Sequence, residues 1–364
     1  MQNINITPLT KEMLEDALSQ NLYWGENTKV VPFSKNKAKW LLENERIQSE
    51  DICAILGYEE DELISFIYLV PDYLATDQGQ QKVYWSNRWW IHEKYENSVL
   101  STYSKRLSIE SVKEQVLVKY VGEETLEYYK KQSFIEFGKR DKYIFVFSLD
   151  HNLIVTKVKS LKPLTPLLKV VTYLSRFFIS TINKLKISIS NRKTTYKNID
   201  TVDDTVWEFI EKKCEGDLIP KSKAYINWQI DNKQYIDTNG SKETPYKCLV
   251  SSVSYKIFNE NILVFSNNKI VGFFSALIRG DEYVLRYFLP DEDYYSHCLD
   301  ILMKRFIKSK CTYILTDNEN LGKQIHHKFL CIYANKKEQV SLAHSSINYN
   351  FTNVKISEQD GHFA

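Results

Sequence analysis

Apolar positions recur along this chain in two periods, and the switches between them mark out the elements. Ile4 to Leu9 alternates as a strand, and Thr10 stands where it can cap a helix running towards Leu18. Asn21 to Phe33 reads as loop, and Lys35 to Asn44 as a helix with Ala38, Leu41 and Leu42 inward. Ile52–Tyr58 and Leu63–Val70 flank the acidic turn EEDE and form a hairpin, followed by a polar loop from Pro71 to Gln81. Val83 to Ile91 (VYWSNRWWI) is aromatic and β-branched, which suits a half-buried pleated surface. After a turn, Val99, Leu100, Tyr103 and Leu107 fall on one helical face, and Val116–Val121 is a short buried strand. Glu123–Gln132 is a second helix, acidic in its first turn and basic in its last, as the helix dipole favours. Lys142–Leu149 closes this half as a strand.

The same order returns further on. A helix over Asp203–Cys214 and a mixed segment over Leu218–Tyr235 precede a hairpin, Ile262–Phe265 with Ile270–Ile278, turning at Asn267-Asn268. A strand (Val284–Phe288), a helix (Tyr294–Lys308), a strand (Thr312–Leu315) and a helix (Glu319–Lys328) follow. Weaker closing strands fall near Cys331–Tyr333 and Glu338–Leu342, ahead of a polar tail, Asp360–Ala364. The repeat predicts two similarly built domains, 1–150 and 200–364, joined by a connector over 151–199.

Charge singles out that connector. From His151 to Asp200 ten basic residues face one acid, a net +9, which leaves −7 for the rest of a chain whose total is +2. Within 163–187 the pattern is a basic amphipathic helix, the kind that packs between domains or lies on an anionic membrane. The first reading expects Leu167, Leu168, Val171, Leu174, Phe177 and Phe178 to be buried against protein.

The near-neutral total gives no sign of a nucleic-acid partner, and 43% hydrophobic content is ordinary for a globular chain. Eleven glycines leave no room for several phosphate cradles, and neither G-x-G-x-x-G nor a Walker loop occurs. The six cysteines are scattered without a C-x-x-C pair, so buried free thiols are expected and no metal site. His326 and His327 are helix neighbours whose side chains point about 100° apart, which does not suit a shared metal. The first residues lack a secretory pattern, which points to the cytoplasm.

The strand–turn–helix–strand–helix order from Val83, ending in Tyr129-Lys-Lys-Gln-Ser-Phe134, resembles the acyl-CoA half of the GCN5-related N-acetyltransferase (GNAT) superfamily, whose motif there is Y-x-x-x-G-F. The resemblance implies a mixed α/β (α+β) fold, two tandem GNAT-like domains, each with a mostly antiparallel sheet flanked by helices. It implies acetyl-CoA or another acyl-CoA as donor and a small-molecule or peptide amine as acceptor. Pantetheine would pair with the strand at Trp89, Trp90 and Ile91, and the diphosphate would lie on the turn Glu96, Asn97, Ser98, Val99, Leu100 and Ser101. That turn departs from the family pattern R/Q-x-x-G-x-G/A, with Glu96 at the Arg/Gln position, Val99 at the first glycine and Ser101 at the last. In the second half Asp293, Ser296 and Cys298 depart in parallel.

Tyr129 is the catalytic candidate, because the family tyrosine can protonate the departing thiolate; the same residue could equally be a packed amphipathic tyrosine. His92 and Glu93 could deprotonate an amine or be solvated turn residues, and Trp228 could touch an acceptor or be core. Three function classes follow: a GNAT-type acyltransferase, a non-catalytic binding or assembly module, and FemAB-like aminoacyl transfer.

Overall fold

The computed structural model describes residues 4–25, 28–76, 79–96, 98–188, 194–235, 246–250, 256–352 and 354–363. In chain order the elements are β1 (Ile4–Thr10), α1 (Lys11–Gln20), β2 (Val30–Phe33), α2 (Lys35–Leu42), β3 (Ile52–Glu59), β4 (Glu62–Thr76), β5 (Gly79–Ile91), α3 (Val99–Ser111), β6 (Val116–Val121), α4 (Glu123–Lys130) and β7 (Phe134–Val146). Then come α5 (His151–Lys157), α6 (Thr165–Ser188), β8 (Thr194–Asn198), α7 (Asp204–Cys214), α8 (Lys223–Ile230) and β9 (Lys247–Val250). The chain ends with β10 (Ile257–Ser266), β11 (Lys269–Arg279), β12 (Glu282–Pro290), α9 (Tyr295–Ser309), β13 (Tyr313–Thr316), α10 (Glu319–Lys328) and β14 (Tyr333–His344). Local chemistry sets several boundaries. The Thr10 hydroxyl accepts from Met13 N to cap α1, and Asn267 and Asn268 both take positive φ (48° and 62°) to close the β10–β11 hairpin.

Two compact units result, and neither is a continuous stretch. The first comprises Met1–Lys139, Thr201–Tyr255 and Gln339–Ala364; the second comprises Arg140–Asp200 and Lys256–Glu338. In the first unit β1, β3, β4 and β5 pair antiparallel in succession, β5 pairs with β6 in parallel, and β6 pairs antiparallel with the end of β14 (Val340↔Val121). Alternation along these strands sends Leu56, Phe66, Tyr68, Trp85 and Leu117 to one face, and Ile55, Ile67, Leu69, Val116 and Val118 to the other, beneath α3 and α4. The second unit repeats the plan. Its strands β8, β10, β11 and β12 pair antiparallel, β12 pairs with β13 in parallel, and β13 pairs antiparallel with the end of β7 (Tyr313↔Val146). Its core lies under α9 and α10.

Three sequence expectations are revised. Pro71–Gln81 is mostly strand, because β4 and β5 continue their pairing out to Thr76↔Gly79. The helix α3 buries Leu100, Ser104, Lys105, Ser108 and Ile109, whereas Val99 is 83% exposed and Tyr103 points outward. In the connector, Leu167, Val171, Leu174, Phe177 and Phe178 are exposed and Leu168 is half-buried. Their helix instead turns Ser175, Arg176 and Asn183 to the protein, where those side chains have hydrogen-bond partners. Over its described residues the polar tail packs down: Asp360 and Phe363 are buried, and Lys221 donates to Asp360 at 2.5 Å. Gly361 turns there at φ +70°, with the Trp85 ring 2.9 Å from where a Cβ would stand. Among the described residues no helix is long and apolar enough to cross a membrane.

Candidate functional site

The first unit opens where β5 leaves β6. Among the described residues the parallel pairing consists of Tyr84↔Val116 and Trp85↔Leu117, after which β5 continues to Ile91 alongside β4 alone. The parting coincides with a bulge. Leu69 faces Ser86 and Ile67 faces Trp89, so β5 carries one extra residue across Asn87 and Arg88. That residue resets the alternation. Ser86 and Trp89 both face α3 and α4, and the backbone edge of Ser86–Ile91 turned away from β4 is left for something other than a strand.

Tyr129 lies under this opening. Its ring is 4% exposed and packs edge-on to Tyr128 (5.5 Å) and Phe134 (4.9 Å), so both matched residues of the Y-x-x-x-S-F segment meet. Tyr128 in turn packs edge-on to Trp89 at 5.2 Å. Ser86 stands near enough to oppose the rise of the Tyr129 phenol, and its Oγ accepts from Lys105 Nζ at 2.6 Å. Lys105 is 1% exposed and lies 5.3 Å from the Tyr129 ring and 5.6 Å from that of Trp89. Burial pushes its ammonium down to about 7, because charge is costly away from water. Burial pushes the Tyr129 phenol up, with neighbouring Tyr128 adding in the same direction and Ser86 opposing. Nothing local in the sequence marks Ser86 or Lys105. Each takes its role from being brought together with Tyr129 by three separate elements.

The other expected site residues divide. Trp89, Trp90 and Ile91 are half-buried along the parted strand, with Trp90 packed on the face opposite Trp89. Glu96 and Val99 are exposed, Leu100 is buried, and Ser98 caps α3, its Oγ accepting from Leu100 N at 3.2 Å. Ser101 is half-buried, and Asn97 lies outside the described residues. This turn suits a diphosphate poorly: an acid stands beside it, one helix N–H is already satisfied, and no glycine lets an anion reach bare backbone. His92 Nδ1 accepts from Lys94 N at 3.2 Å, and the exposed Glu93 stands in the same turn. Trp228 is core, stacked on Trp40 at 4.0 Å, with each indole N–H donating to the other's backbone carbonyl at 2.6 Å.

The second unit carries the same opening with different contents. Pairing of β12 with β13 ends at Val284↔Leu315, and a bulge places Arg286 between Leu285 and Tyr287. Here Cys298 is buried against Gly272 and Ser296 accepts from Lys328, so α9 spends these positions on packing. Glu260 is taken by Arg305 and Tyr283.

No protein-family model and no curated protein matches the chain. Solved structures do. Saccharomyces cerevisiae N-myristoyltransferase with bound myristoyl-CoA aligns over 94% of this chain and 83% of its own at 12% identity, with a TM-score of 0.53. A GCN5-related N-acetyltransferase from Anabaena variabilis aligns over 93% and 72% at 9% identity, with a TM-score of 0.46. Two units, each with a bulged strand parting from its parallel neighbour ahead of a helix, and a likeness that spans both of them, give this chain the tandem fold of the GCN5-related N-acetyltransferase superfamily.

Proposed function

We propose that the chain transfers an acyl group from a coenzyme A thioester to an amine, with the chemistry in the first unit. The observation that carries this reading is the buried cluster at the parted end of β5, in which Lys105 bonds Ser86 and stands 5.3 Å from the Tyr129 ring. The backbone edge of Ser86–Ile91 is suited to an extended amide chain such as pantetheine. When the acceptor nitrogen attacks the thioester carbonyl and the C–S bond breaks, the sulfur leaves with the electron pair. Tyr129 gives that sulfur its phenolic proton, Ser86 passes a proton to the phenolate, and the Lys105 ammonium replenishes Ser86. The proton shed by the acceptor nitrogen balances the one delivered to sulfur. The thiolate is a weaker base than this buried phenolate, so the acid that drives the relay is the Lys105 ammonium, held at about 7 by burial, with Tyr129 and Ser86 passing its proton on to the sulfur.

Glu96 and Val99 make the hold on diphosphate weak. Calorimetric titration with CoA tests this: Glu96→Arg should tighten binding by about tenfold, whereas Tyr129→Phe should leave binding intact and lower transfer by about a hundredfold. The neighbour solved with myristoyl-CoA makes long-chain as well as acetyl thioesters worth assaying. If neither the native chain nor Glu96→Arg binds CoA at millimolar concentration, transfer is excluded and the non-catalytic module, which the turn residues favour, stands in its place.

A further inference from the structure

We propose that α6 is a membrane-surface anchor that lies in the headgroup region of an anionic bilayer. An ordinary surface helix hides its apolar residues and wets the rest; α6 packs Ile179 and Ile187 on the core yet leaves a second apolar stripe in water. Leu167, Val170, Val171, Leu174, Phe177 and Phe178 are all exposed, between 37% and 68%, and at helical spacing they fall within an arc of about 120°. On the opposite side, Ser175 Oγ accepts from Leu149 N, Arg176 donates to Thr312 Oγ1 at 3.0 Å, and Asn183 both donates to Leu330 O and accepts from Leu330 N at 2.9 Å. Hydrogen bonds therefore hold the helix with its apolar side outward. Rotating it inward would break them all.

Charge selects the occupant. Lys157, Lys159, Lys162, Lys169 and Lys184 are exposed on and before this helix, and no acid occurs between His151 and Ile199. A second copy docking through this face would bring two strongly basic segments together, whereas an anionic leaflet complements them, each basic residue near such a surface adding about 1 kcal/mol. The helix runs about 36 Å at 1.5 Å per residue, yet it is not apolar enough to span, so it lies along the interface.

Co-sedimentation with vesicles of phosphatidylcholine alone, and of phosphatidylcholine mixed with phosphatidylglycerol, tests this on the full chain. The protein should pellet with the anionic vesicles and less so in high salt. The double substitution Phe177→Ser, Phe178→Ser should weaken partitioning by about tenfold or more, and Lys169→Gln with Lys184→Gln should flatten the salt dependence. As a check independent of losing residues, Phe178→Trp should gain fluorescence that brominated acyl chains quench. No partitioning into anionic vesicles, or a solution dimer that Phe177→Ser, Phe178→Ser converts to monomer, would overturn the proposal.

Discussion

Lys105 sets a sharp test, because its burial should oppose folding by an amount the structure lets one work out. The unfolded side chain titrates at 10.5 and the folded one at about 7. Between these values the unfolded chain binds a proton that the folded chain excludes, so stability rises with pH across that window and levels off below it. At pH 7 the penalty is on the order of 3 to 5 kcal/mol, and about 2 kcal/mol of it is recovered by pH 9. Lys105→Met keeps the volume and removes the charge, at the loss of the bond to Ser86, worth about 1 kcal/mol. Net stabilisation at pH 7 of about 2 to 4 kcal/mol should follow. All seven tryptophans belong to the first unit, so urea unfolding followed by tryptophan fluorescence reads that unit alone. The gap between Lys105→Met and the native chain should narrow by about 2 kcal/mol from pH 7 to pH 9, while the substitution slows acyl transfer. A Lys105→Met protein less stable than the native one at pH 7, or a gap indifferent to pH, would refute the reasoning.

Two further outcomes probe the framework around the site. Asp72 is fully buried and accepts from Arg46, Tyr225 (2.8 Å) and Trp85 (3.0 Å); burial pushes its carboxyl up while Arg46 opposes, and Arg46→Ala should therefore cost about 3 to 5 kcal/mol in the same unfolding assay. Trp228→Phe removes the indole that donates to Trp40 O and should cost about 1 to 3 kcal/mol, without changing the CoA affinity of the folded protein.

Element order and type were legible in the sequence because period and turn chemistry act locally. The EEDE and Asn-Asn hairpins, the Thr10 cap and the strand–helix–strand run after Val83 all stand where their residues put them. The local pattern also placed Tyr129 and Phe134 at contact spacing. Which face of a helix turns inward was decided elsewhere. In α3 the partners Ser65 and Ser86, supplied by other strands, draw Ser104 and Lys105 into the interior and leave Val99 in solvent. In α6 the backbone at Leu149 and Leu330 and the Thr312 hydroxyl do the same for Ser175, Asn183 and Arg176. A sequence period reports that a helix has two unlike faces. Where a buried polar group finds its hydrogen bonds far along the chain, only the tertiary structure determines which face is hidden.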